Sequence, residues 1–557
     1  MAEDVKVPEG WDVSNLGKLA SFINGYAFKP EDWKEEGLPI IRIEQLKDPN
    51  AKYDYSDKKL PDIYLIDNGD LIFSWSATLA IKLWDRGKAY LNQHLYKVLP
   101  NSTIKKRFLK CLLEHKIEDL SKETHGSTMK HITRTFLLNF RVTYPKSKLE
   151  QRKIAEILET IDNAIEKTDR IIEKYKRIKQ GLMQDLFTKG ITAFGFEKDK
   201  LINAVKKAFK NGDHNFGREE NLINHLSDYL REVFSVWDVD SEIEKNKERQ
   251  RPDIIIHKRR NPNENLFAIE VKKSEDLNRI KEDIKKLEDL MLKEYRYEDA
   301  VFIGFNIENF DRIFELSEKV NFILISKDGE VKIRNRVRRF KDSPLGRVPE
   351  EWEVVELGNV ANVKRGASPR PIEDPVYFSE GGRGWVRILD VTSSNKYLKR
   401  TTQYLSPIGE QKSVKVEPNE LIMSICATIG KPTIVKIPAC IHDGFVVFKN
   451  LSSQVDIEYL FYYLTFKEKD IQEMGQIGTQ GNLNSNLVSS FELLRPPLPE
   501  QHRIASILSQ IDEAIEKEKK YKEKLERIKR GLMEDLLTGK VRVNHLIEEG
   551  VELPQEA

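Results

Sequence analysis

Cysteine is scarce in this chain: Cys111, Cys426 and Cys440 are the only three in 557 residues. They lie too far apart in sequence for a disulfide framework or a zinc knuckle, which excludes a stapled secreted scaffold and suits a reducing cytoplasm. No run of about 18 apolar residues occurs, and the opening "MAEDVKVPEGWDV" has no apolar signal region, so the expectation is a soluble cytoplasmic protein. Charge of one sign is lacking too. Lys and Arg number 92 against 90 Asp and Glu, a net +2, which excludes a uniformly basic coat for nucleic acid but leaves room for local patches. The ten histidines, including the one in "DHNF" at 213–216, show no ligand spacing. Also missing are an Asn-Pro-Pro-Tyr tetrapeptide of the adenine-methylating kind and a G-x-x-x-x-G-K-[ST] phosphate loop. This chain alone is neither a methyl transferase nor a nucleotide-driven motor.

What it does contain is a duplication. "VPEGWDVSNLGKLA" at 7–20 returns as "VPEEWEVVELGNVA" at 348–361, and "LIFSWSAT" at 71–78 as "LIMSICAT" at 421–428. "EQRKIAEILETIDNAIEK" at 150–167 returns as "EQHRIASILSQIDEAIEK" at 500–517, and "RIKQGLMQDL" at 177–186 as "RIKRGLMEDL" at 527–536. Matching order and spacing define two copies of one unit. Each copy begins with a turn-rich globule of short strands and helices, "LPIIRI" (38–43) and "GWVRIL" (384–389) among the strands. Each ends in a long helix. Its apolar positions are Ile154, Leu158, Ile161, Ile165, Ile172, Tyr175, Leu182 and Leu186 in the first copy. In the second they are Ile504, Leu508, Ile511, Ile515, Leu525, Leu532 and Leu536. Four-three spacing makes one narrow seam per helix. Two near-identical seams are expected to pack on each other, antiparallel and roughly two-fold; the alternative is that each docks on its own globule.

Taken together, these blocks resemble the specificity subunit of type I restriction-modification systems. The likeness is greatest across "GTQGNLNSNLVSSFELLRPPLPEQHRIASIL" (478–508) and looser across "GSTMKHITRTFLLNFRVTYPKSKLEQRKIAEIL" (126–158). The resemblance implies two target recognition domains, each reading half of a bipartite double-stranded DNA site, and a helix pair holding two adenine-methyltransferase subunits. S-adenosylmethionine would then be bound only by those partners, and a restriction/translocase subunit is an optional third partner. Base edges are read by Arg, Lys, Asn, Gln and His in turn-rich segments. The candidates for DNA contact are Lys130, His131 and Arg134 in the first copy and Gln480, Asn482 and Asn484 in the second.

Between the copies, at 197–340, lies a segment that the usual subunit of this kind lacks. "REENLINHLSDYLREVF" (218–234) has helical spacing, "WDVDSEIE", "PDIIIH" and "LFAIEVK" read as strands, a charged helix follows at 275–296, and strands return at 300–306 and 321–329. This order, with Pro252-Asp253 and Glu270-Val271-Lys272 on its strands, is similar to the PD-(D/E)xK nuclease fold. Phosphodiester hydrolysis needs a divalent cation to neutralise the phosphate and to acidify the attacking water. Hard cations such as Mg²⁺ take oxygen ligands. Asp253 and Glu270 are therefore the expected metal ligands, Lys272 the residue that orients the water or offsets developing charge, and Glu220, failing that Glu219, an added ligand from the first helix. Asp253, Glu270 and Lys272 form the expected catalytic set. The basic run "KIRNRVRRFK" (332–341) reads equally well as a phosphate contact or a solvated linker.

The expected architecture is α+β and multidomain. It comprises a mixed α/β target recognition domain at 1–147, a conserved coiled-coil helix at 148–196 and an α/β PD-(D/E)xK-like insertion at 197–340. A second recognition domain at 341–497 and a second coiled-coil helix with its tail at 498–557 complete it. Two functional readings remain: a DNA-specificity subunit carrying a Mg²⁺-dependent endonuclease, or a non-catalytic DNA-binding and assembly scaffold whose insertion is silent.

Overall fold

The computed structural model describes residues 7–547 except 49–50, 77, 123–131, 192, 212–218, 236–237, 242–251, 258–264, 274–275, 292–296, 298 and 478–482. The chain divides into two compact units, one of residues 1–174 with 515–557 and one of residues 175–514. Among the described residues no helix is long and apolar enough to cross a membrane.

The duplication is visible strand for strand. In the first globule Trp11–Asn15 pairs antiparallel with Arg141–Pro145; in the second Glu353–Glu356 pairs the same way with Glu492–Arg495. Each globule is thus closed by joining its first strand to the strand before its long helix. The sheet Ala20–Asn24, Leu95–Pro100, Leu71–Ser74, Ala80–Leu83 recurs in the same order as Asn362–Arg365, Phe445–Lys449, Leu421–Ser424, Pro432–Val435, with Tyr397–Leu398 added at its edge. A second, mixed sheet completes each globule. The Trp of each "VPE-x-W" motif is buried, Trp11 and Trp352 alike.

The long helices run Lys148–Thr188 and Leu498–Leu537. Their seams are used in an unexpected way. Ile154, Ala155 and Leu158 enter the core of the first unit together with Met533, Leu536 and Leu537 from the end of the other helix. Ile504, Ala505 and Leu508 enter the core of the second unit together with Met183, Leu186 and Phe187. The start of each helix therefore docks on its own globule, and its end fills the core of the other. A buried Leu or Ile is worth about 1.5–3 kcal/mol, so these terminal turns are the strongest attachments. Between them the helices meet through charge. In the first unit Lys529 lies 2.5 Å from Asp162 and Lys522 lies 2.7 Å from Asp169, a heptad step on each helix in opposite directions. In the second unit Lys179 lies 2.6 Å from Asp512.

The Glu-Gln pair opening each helix motif is structural. The Gln151 amide donates to the Pro145 carbonyl at 2.8 Å while its oxygen accepts from the Lys105 N–H at 2.8 Å. Gln501 does the same with Pro496 at 2.8 Å and Asp456 at 2.9 Å. Both glutamines are fully buried, and such groups persist in a core only when hydrogen-bonded. Glu150 accepts both arms of Arg542 at 2.6 and 2.8 Å; Glu500 accepts both arms of Arg338 at 2.9 and 2.8 Å.

Arg338 explains how an insertion fits here. Arg542 follows the helix-ending Gly539 by three residues, whereas position 193, three after the equivalent Gly190, is Ala. The missing guanidinium comes instead from Arg338, beyond the inserted segment. Arg338 also donates to Glu351 and to the Lys189 carbonyl, each at 3.0 Å, and the Ile191 N–H donates to Glu500 at 2.6 Å, so the insertion leaves and returns at one clamp. Gly190 sits there at φ +65°, with Glu500, Arg338 and Trp352 where a Cβ would lie. The basic run is thus partly spent on structure: Arg338 binds Glu500, Arg336 lies 2.7 Å from Asp299, and Arg334 covers Phe322.

Candidate functional site

The inserted segment builds one six-stranded sheet in the order Asp238–Ser241, Ile254–His257, Asn265–Lys272, Asp299–Phe305, Asn321–Ile325, Val331–Arg334. The pairings run antiparallel, antiparallel, parallel, parallel, antiparallel. A parallel pair needs a crossover, and the expected charged helix supplies it, ordered as Leu277–Lys286 with a further turn at Leu287–Met291. Two helices, Ala193–Asn211 and Glu219–Val233, cover one face of the sheet; Leu277–Lys286 and Phe310–Phe314 cover the other.

Strand alternation sorts the side chains of Asn265–Lys272. Phe267, Ile269 and Val271 enter the core beneath the first helix pair, while Ala268 enters the core under Leu277–Lys286. Glu270 and Lys272 share the parity of Ala268. The register Ile254↔Ile269 sets Asp253, one residue earlier, beside Glu270. The Val271 N–H donates to Asp253 Oδ2 at 2.8 Å and holds it there. Asp253, Glu270 and Lys272 are therefore brought together.

The crossover helix adds two groups that sequence reasoning missed. Lys286 Nζ lies 2.5 Å from Glu270 Oε1, and Asp283 lies 3.0 Å from Lys272 Nζ. The spacing held a signal: Ile280, Ile284 and Leu287 form the buried stripe of that helix, so positions 283 and 286 border it and reach the sheet. From the first helix it is Glu219, not Glu220, that arrives, 3.3 Å from Lys272 Nζ. Glu220 is exposed; one residue is 100° of helix, and that turn carries it off the sheet.

Burial dominates the electrostatics. Glu270 is 2% exposed, and burial followed by the charge of Asp253 pushes its carboxyl well above the usual range, with Lys286 working against the rise. Asp253 is raised as well, by burial, against the Val271 N–H. Burial also opposes the charge on Lys272, yet Asp283 and Glu219 outweigh it and raise its pKa. Four carboxylates (Asp253, Glu270, Asp283, Glu219) face two ammonium groups (Lys272, Lys286), a deficit of two positive charges. The donor set is all oxygen, and Asp253 and Glu270 are the two carboxylates that could hold a hard divalent cation, with water and phosphate completing its shell. Among the described residues no three Asp, Glu, His or Cys side chains converge as a ready-made cage.

The DNA-contact candidates fare differently. Lys130, His131, Gln480 and Asn482 lie outside the described residues. Arg134 is exposed and donates to the Phe22 carbonyl at 3.3 Å, while Asn484 caps the helix Ser485–Ser489 by accepting from the Leu487 N–H at 2.9 Å. Thr133, its counterpart in the first copy, caps Arg134–Asn139 in the same way. Both segments are pinned alike, Ile132 N–H to the Trp75 carbonyl and Leu483 N–H to the Ile425 carbonyl.

Comparison with known proteins places this arrangement. A family model described as the type I restriction modification DNA specificity domain matches twice, at residues 8–176 and 349–527, leaving the inserted segment outside both matches. The MjaVIII type I restriction enzyme specificity subunit of Methanocaldococcus jannaschii is 22% identical over 97% of this chain and 95% of its own. The MjaX specificity subunit from the same source is 32% identical over 209 residues, 37% of this chain, and the match spans about half (47%) of that relative. A solved type I S subunit from M. genitalium aligns over 96% of this chain and 98% of its own, at 12% identity and a TM-score of 0.46.

Proposed function

The chain belongs to the type I restriction-modification DNA specificity family, and on that premise we propose that it reads a bipartite DNA site and carries its own endonuclease. Its two globules are the reading heads, one for each half-site, with the base contacts supplied from the turn-rich segments 126–134 and 478–486. The long helices form an antiparallel coiled-coil pair. The opposed heptad steps at Asp162–Lys529 and Asp169–Lys522 support that reading. A helix of this length spans about 60 Å. The pair holds two adenine-methyltransferase subunits, which bring S-adenosylmethionine and the methylating chemistry this chain lacks; a restriction/translocase subunit remains an optional third partner.

The inserted domain is read as a PD-(D/E)xK-type nuclease. The observation that carries this is the meeting of Asp253, Glu270 and Lys272 at the ends of adjacent strands. A divalent cation, when bound, neutralises the scissile phosphate and acidifies water. Asp253 and Glu270 supply oxygen ligands. Lys272, fixed between Asp283 and Glu219, offsets charge building on the phosphate. A silent insertion is the second reading, favoured by one observation: Glu270 already has a cation against it in Lys286.

The test is plasmid DNA incubated with Mg²⁺ and the chain bound to its methyltransferase, comparing wild type with Asp253→Ala and Lys272→Ala. Metal-dependent cleavage lost in both variants with DNA binding intact is the expected result. No cleavage by wild type of unmodified DNA that it binds would leave the silent scaffold.

A further inference from the structure

We propose that Lys286 is a resident stand-in for the metal, which keeps the inserted site closed until DNA draws it away. This rests on the nuclease reading above. A carboxylate as buried as Glu270 cannot be left unpaired without a large cost, and without metal the only ammonium against it among the described residues is that of Lys286, 2.5 Å from Oε1. A Mg²⁺ ligand bond is about 2.0–2.1 Å, and a dication and an ammonium on one buried carboxylate repel each other, so the two compete for Glu270.

The structure distinguishes which lysine is free to go. Lys272 is held by two carboxylates from different helices, Asp283 and Glu219, and its side chain is 13% exposed. Lys286 has one carboxylate and ends its regular helix, at the rim of the site, with its side chain 20% exposed. Its four-carbon stem can swing outward without disturbing Ile280 or Ile284, which anchor the helix in the core.

Charge gives the swing a destination. With a divalent cation bound, the metal and Lys272 supply three positive charges against four carboxylates, so the carboxylates alone would keep Lys286, and it is the negative charge of a DNA phosphate that draws the lysine out. Metal loading and DNA binding are thereby coupled: phosphate stabilises the withdrawn lysine, the withdrawn lysine exposes Glu270, and by linkage each ligand strengthens the other by the same factor. A nuclease domain tethered to a sequence-reading frame would stay unloaded away from DNA.

Calorimetric titration of Ca²⁺, a hard cation for the same oxygen ligands, into the full chain with its methyltransferase tests this. Wild type, Lys286→Met and Glu270→Gln are each titrated with and without a duplex carrying the site. Wild type should bind weakly alone and at least about tenfold tighter with duplex, and Lys286→Met should bind about tenfold tighter than wild type without duplex and gain little from it. Lys286→Arg, which keeps the charge, should keep the DNA dependence and guards against a Met variant that fails to fold. Equal affinities of wild type and Lys286→Met without DNA, or equal tightening of both by duplex, overturns the stand-in role while Glu270-dependent binding leaves the nuclease reading in place. Absence of any Glu270-dependent binding, even with duplex, removes the nuclease reading and this inference with it.

Discussion

Glu500 and Glu270 are both buried carboxylates, 3% and 2% exposed, and their surroundings separate the two halves of this molecule's business. Glu500 accepts both arms of Arg338, the Trp352 indole N–H at 2.9 Å and the Ile191 N–H. Its counterpart Glu150 accepts both arms of Arg542. These are charges arranged to hold a frame: Glu500 has a donor for every lone pair, and the arginine clamp is made twice. Glu270 has a single flexible ammonium and a second carboxylate for company, and nothing in the duplicated frame repeats it. A fully donated carboxylate is a joint; one left in competition with its neighbours is poised to bind.

The comparison is broken most severely by removing Arg338. Arg338→Ala strands a buried carboxylate, and its expected cost is about 3–5 kcal/mol, read by denaturant unfolding; a change below about 1 kcal/mol would mean that the clamp is not structural. Gly190→Ala should cost about 1–2 kcal/mol from the left-handed backbone alone, with more for displacing Trp352. Gly181→Ala, on an exposed helical turn with open space around it, should instead gain up to about 1 kcal/mol. Parallel thermal melts of the two variants decide whether position or mere helix content is at stake.

Glu270→Gln gives the smallest change and the sharpest contrast. Because burial raises the folded pKa of Glu270, its contribution to stability is present below the unfolded carboxylate pKa and is lost as pH rises through the folded value. In metal-free protein the inserted domain should therefore weaken as pH climbs through that window, and the Gln variant should flatten the slope. Hydrogen exchange on Val301 and Ile303 across pH measures it. An unchanged slope in the variant would place the titration elsewhere.

Much of this was legible in the residues, and for physical reasons. Period-two alternation in "LFAIEVK" put Glu270 and Lys272 on one face, and the repeat alone set out the two globules. The partners of the helix seams were harder to read. Four-three spacing says that a helix buries a stripe but not against what, and Met533, Leu536 and Leu537 fill the first unit's core rather than only a facing seam. Glu220 was preferred to Glu219 because spacing within a helix fixes relative angles and not the absolute rotation onto a sheet. Arg338 and Glu500 stand 162 residues apart, and no local pattern couples them. The duplication nevertheless held the clue, since the arginine that follows Gly539 has no counterpart after Gly190.

The most direct test of the division between frame and insertion is a deletion that copies the second repeat onto the first. Residues 191–337 are replaced by Lys-Val, so that Gly190 meets Arg338 across the same two residues that separate Gly539 from Arg542. DNA affinity and methyltransferase binding are then measured beside Mg²⁺-dependent cleavage. The account expects both binding activities at wild-type strength and no cleavage. Loss of DNA binding, or cleavage that survives the deletion, would contradict it.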